Sequence, residues 1–130
     1  MGANRNFNRK QALDKEIKEL FAAVAIGASG APTLDAAQSL GVASVTRVST
    51  GRYSILLQDS YPAFRHITES RQLASGAPGA VGGMVVRSVA VTSSTPTIVI
   101  EFVDGAGAAV ELVSGTVLRL EINLKNSTAR

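Results

Sequence analysis

Near its end the chain reads Leu118, Leu120, Ile122 and Leu124, alternating with Arg119, Glu121, Asn123 and Lys125. A period of two sustained over eight residues fits an extended strand with one face on a core and the other in water. In a helix, residues two apart point in nearly opposite directions, so the same pattern would leave leucines all round. The period recurs at Ile98, Ile100 and Phe102 within residues 97–103, and at Tyr53, Ile55 and Leu57 within residues 52–58. In the latter run Leu56 also makes the opposite face partly apolar, beside Arg52, Ser54 and Gln58. A strand with apolar groups on both faces is expected to be covered on both. Arg52 and Leu56 are therefore candidates for an interface.

Turn signals separate these runs. Residues 42–48 and 52–58 flank Ser49-Thr50-Gly51, which suits a three-residue hairpin loop with a left-handed glycine at its end. Residues 59–64 hold Pro62 and read as a turn, followed by a strand over 64–73. Residues 74–83, "ASGAPGAVGG", read as a loop, and residues 84–92 as the next strand. Residues 104–116 read as turn, short strand and turn; residues 31–41 read as a loop with one short strand. Roughly seven to nine short strands with turns between them predict a mainly β chain, either an antiparallel β-sandwich or a small barrel.

Residues 8–24 read differently. Leu13, Ile17, Leu20, Phe21 and Val24 fall at offsets 0, 4, 7, 8 and 11, which predicts an N-terminal amphipathic helix capped by Asn8. The expected division is an N-terminal arm and helix over 1–26 and a β-sandwich body over 27–130. Residues 1–20 carry five basic and three acidic groups, whereas residues 21–130 carry eight and seven. The body is thus nearly neutral, unlike a nucleic-acid-binding domain with a strongly basic face. No apolar run reaches the ~18 residues of a membrane span, so neither nucleic acid nor a membrane is expected as a partner.

Catalytic and metal-binding patterns are not expected either. The chain has no Cys and one His, His66, which leaves too few nitrogen and sulfur ligands for a zinc site. No nucleophile elbow, phosphate loop, dinucleotide fingerprint or calcium loop occurs. Asp59, Glu69, Glu101 and Glu121 have no spacing that would pair them for acid–base work. No catalytic residue, metal ligand or cofactor site is expected. With aromatic content of 5% and no Trp, the core must be built from small aliphatic side chains, and self-association is expected to add to the buried area.

Residues 41–64, "GVASVTRVSTGRYSILLQDSYPAF", and 104–127, "DGAGAAVELVSGTVLRLEINLKNS", resemble the β-segments of small bacteriophage virion proteins. Head decoration (cement) proteins and fibre-head proteins are the nearest in phrasing. The resemblance implies a structural, non-enzymatic protein on the outer capsid surface of the virion. It would bind the major capsid protein and itself, as a dimer or trimer, and stabilise the lattice. The alternative it implies is a receptor- or glycan-binding head of a phage fibre. No residue-specific motif carries over, so the contact residues are expected from this sequence alone. They are Arg5, Arg9, Lys10, Leu13, Ile17, Leu20 and Phe21 on the arm, and Gly76, Pro78 and Gly79 in the glycine-rich loop.

Overall fold

The computed structural model describes residues 17–74 and 82–126. The alternating segment forms β8 (Val117–Lys125), with Leu118, Leu120, Ile122 and Leu124 buried. It lies between β1 (Ile17–Ile26) and β5 (Ala63–Gln72), antiparallel to both. A short strand, β2 (Pro32–Leu34), pairs with the other side of β1. The first sheet therefore runs β2-β1-β8-β5. The second is built from β3 (Val42–Ser49), β4 (Arg52–Leu57), β6 (Gly83–Ala90) and β7 (Thr97–Val103), in the order β3-β4-β7-β6.

Both sheets are antiparallel and neither closes on itself, so the barrel expectation is replaced by two open four-stranded sheets. Their apolar faces supply one core cluster: Leu20, Val24, Leu118 and Ile122 from one sheet, Tyr53, Ile55, Ile98 and Ile100 from the other. This is a β-sandwich-like arrangement. Tyr53 and Phe102 meet edge to face in the core, 6.1 Å between ring centroids. Each fully buried Leu, Ile, Val or Phe contributes roughly 1.5–3 kcal/mol relative to exposure. Aliphatic burial therefore dominates, as the composition requires.

The expected N-terminal helix is corrected where it can be seen. Residues 17–24 are part of a strand, and Leu20, Ala22, Val24 and Ile26 point inward from it. Leu20 and Val24 are four apart, a separation that keeps one face in a helix and in a strand alike. Ala22 and Ala23 weaken any contrast between the two faces. The rest of that helix falls outside the described residues. Because β1 is an inner strand, an arm ending at residue 26 would remove part of the first sheet.

The opening hairpin forms with Gly51 left-handed, φ +66°. Ser49 pairs with Arg52, so the loop is one residue shorter than expected, with a register shift between Arg47 and Ser49. A Cβ on Gly51 would strike the Val110 carbonyl oxygen, so the 104–116 segment passes too close for any side chain there. That segment holds an isolated bridge, Val103 to Ala109, where a short strand is expected from the sequence.

Candidate functional site

Polar side chains gather at three places. On the outer face of the second sheet, Glu101 of β7 is 4% exposed although it faces away from the core. The register sets Arg52 of β4 and Val85 of β6 beside it, and Arg87 follows at a bulge between Val86 and Ser88. Arg52 Nε donates to Glu101 Oε2 at 2.8 Å, and Arg87 Nε donates to Oε1 at 3.1 Å. The Arg87 and Arg52 guanidiniums together hold this carboxyl below its ordinary value of 4.5. The cluster ties three neighbouring strands together across their outer face.

The second cluster joins three loops at one end of the body. Arg47 Nε donates to Glu111 Oε1 at 3.1 Å, and the Gly51 N–H donates to the same oxygen at 3.3 Å. A Cβ on Gly30 would overlap that carboxylate, so the buried glycine is what lets Glu111 approach. The Tyr53 hydroxyl donates to the Gly30 carbonyl at 2.7 Å from inside the core. The Arg47 guanidinium holds the Glu111 carboxyl low, helped by the Gly51 N–H. Burial, with the Glu111 charge adding to it, pushes the Tyr53 phenol up to about 12.

The third place is the seam between the edge strands β5 and β6. Opposite Leu118, Arg71 turns inward and lies 5.3 Å from the centre of the Phe102 ring. It donates to the Gly82 carbonyl at 3.0 Å and pairs with Glu69 at 3.2 Å. An apolar ring, a carboxylate and a carbonyl thus hold one guanidinium across the open side of the sandwich.

Among the described residues, the expected contact residues do not come together as one patch. Arg5, Arg9, Lys10 and Leu13 lie outside the described residues, as do Gly76, Pro78 and Gly79. Ile17 is half-buried at the start of β1. Leu20 is fully buried in the core, which corrects its assignment to a docking surface. Phe21 is 41% exposed on the outer face of the first sheet, in a shallow groove with Thr68, Ser70, Arg119 and Glu121. Arg52 is committed to Glu101, and Leu56 is half-buried on the same outer face beside Ser44 and Thr97.

Glu69 faces the seam, Glu101 and Glu121 lie on outer faces of different sheets, and Asp59 lies in a loop. His66 is exposed on β5, opposite Asn123. Among the described residues no three His, Asp or Glu side chains group as a metal site requires. No helix among them is long and apolar enough to cross a membrane. Sequence reasoning missed Arg47, Arg71, Arg87 and Glu111. Arg47 and Glu111 are 64 residues apart, and the roles of Arg71 and Arg87 depend on which strands become neighbours, so no local pattern marks these contacts. Comparison with protein-family models, curated proteins and solved structures finds no match.

Proposed function

We propose that this chain is a structural protein of a phage virion, a decoration protein that binds the outer surface of the capsid and stabilises the lattice. The observation that carries the reading is how the body spends its charge. Glu101 and Glu111 each cross-link separate strands or loops, and both are held ionised by arginines. Such ties make a stiff wall from a core of small side chains, which is what clamping neighbouring capsomers demands. The sequence resemblance of residues 41–64 and 104–127 to virion β-segments supports the same reading. Its partners are then the major capsid protein and further copies of itself.

The contact expected of the N-terminal basic residues is testable by truncation ahead of Ile17, where the described part of β1 begins. A chain lacking residues 1–16 keeps every described strand and, once circular dichroism shows it folded, is expected to lose capsid binding in a co-sedimentation assay. Full binding by that chain refutes the arm. Copy number in purified particles, from quantitative mass spectrometry, tests the reading itself. Hundreds of copies fit a capsid surface; a few, together with binding to host cells or glycans, fit a fibre head instead.

A further inference from the structure

Among the described residues, the four edge strands of the two sheets are not equally guarded. β2 is three residues long and begins with Pro32, which has no N–H to offer. β5 carries Arg65, His66, Glu69 and Arg71 and a register shift at Phe64. β3 has two register shifts along its length. These are the devices that keep edges from pairing with other chains. β6 is eight residues long, has one register shift, at Arg87, and otherwise reads as an apolar strand, Gly-Met-Val-Val-Arg-Ser-Val-Ala. Its one charged side chain, Arg87, is turned back onto Glu101 of its own sheet. Val85, Val86 and Val89 remain 37%, 39% and 41% exposed. An edge this apolar, with its one charge paired to a carboxylate of its own sheet, is a candidate for being covered.

The register says by what. Met84, Val86 and Val89 lie opposite Phe102, Ile100 and Ile98, so they belong to the inner face. Val85 lies opposite Glu101, Ser88 opposite Val99 and Ala90 opposite Thr97, which puts them on the outer face. Arg87, the extra residue of the bulge, also reaches the outer face, where Glu101 holds it. Now place a second β6 antiparallel to the first, about a two-fold axis passing between Arg87 and Ser88. Val86 meets Val89 of the other copy, Val85 meets Ala90, and Arg87 meets Ser88. Every pair joins like face to like face, and neither arginine sits directly opposite the other. Slipping the register by one residue pairs Val86 with Ser88 and Arg87 with Arg87, which mixes faces and opposes like charges. The bulge does not spoil this pairing, because it sits at the symmetry centre on both strands.

We infer that two copies of this chain pair through their β6 strands about a two-fold axis, Val86 against Val89, making one continuous eight-stranded sheet from the two second sheets. The occupant is another copy because the edge is complementary to itself in apolar pattern, in face and in charge. This inference does not rest on the capsid reading, and its test uses the purified full chain with no capsid present, so the two fail separately.

Sedimentation equilibrium on the full chain is expected to give twice the chain mass. Val86→Lys replaces two cross-strand valine pairs at once and is expected to raise the dimer dissociation constant at least about tenfold. Val48→Lys, on the exposed β3 edge, is expected to leave it unchanged. Circular dichroism checks that each variant is folded. The register has its own test that no folding defect in the lysine variant can obscure. The chain has no native cysteine, so Val86→Cys combined with Val89→Cys is expected to form an interchain disulfide on mild oxidation. Val85→Cys combined with Val89→Cys is expected not to. A monomer at all concentrations, a trimer, a dimer indifferent to Val86→Lys, or a crosslink only in the second cysteine pair overturns the inference.

Discussion

Leu20 and Phe21 are adjacent in sequence, and replacing each with alanine separates a strand from a helix at the start of this chain. On a helix with the spacing of residues 13–24 they would share one face and respond together. On β1 they point to opposite faces: Leu20 is fully buried opposite Ile122, and Phe21 is 41% exposed opposite Glu121. Leu20 packs against Gly41, which has a φ of +78° and no side chain to move into the space an alanine would leave. The cavity therefore stays open, and Leu20→Ala is expected in the middle of the Leu→Ala range, about 3–4 kcal/mol. For a domain of this size that lowers the melting temperature by roughly 10–15 °C. Phe21→Ala loses only part of a side-chain burial and leaves no enclosed void, so about 1–1.5 kcal/mol is expected. Urea denaturation of the full chain, followed by circular dichroism, reads both. The midpoint should fall far more for Leu20→Ala, with the slope unchanged. Equal losses, or a larger loss for Phe21→Ala, would refute the placement of this segment as an inner strand.

Other outcomes follow from the two ionic clusters. Tyr53→Phe removes the hydroxyl that satisfies the buried Gly30 carbonyl, and is expected to cost about 1–3 kcal/mol at neutral pH in the same denaturation assay. At high pH the wild type should lose stability first. A phenol raised to about 12 in the folded state favours folding below its ordinary value of 10.0, and that contribution disappears as pH rises through 12. The Phe variant should lack this part of the alkaline decline. At low pH the sign reverses. Glu101 and Glu111 are held below 4.5 when folded, so their contribution is complete above that value and fades as pH falls below it. Combining Glu101→Gln with Glu111→Gln should flatten the acid limb of a stability–pH profile. Gly51→Ala should destabilise strongly, since the new Cβ meets backbone rather than a side chain that can swing away.

Much of the sheet structure was legible. β7 and β8 lie where a strict period of two places them, and the hairpin of β3 and β4 announces itself by its flanking strands and its left-handed glycine. β1 was misread because Leu20 and Val24 satisfy both periods and the alanines between them are silent. The alternation of Ile98, Ile100 and Phe102 already puts Glu101 on the outer face, but nothing local says that two arginines close over it. Partners 49 and 64 residues away are set by which strands become neighbours, and that is decided by the whole chain. In the same way β6 is legible as a strand, whereas its place at an edge follows only from the sheet order.

One pairing bears on how the molecule meets force. Ile17 opens β1 directly opposite Lys125, the last residue of β8, so the described chain enters and leaves side by side at one end of the first sheet. A pull that separates these two ends peels β1 from β8 one residue pair at a time, like a zip. Loads applied along the strands instead shear many hydrogen bonds at once and meet far more resistance. A molecule wired this way withstands strain best when loaded along its strands, and yields most easily where Ile17 and Lys125 are drawn apart.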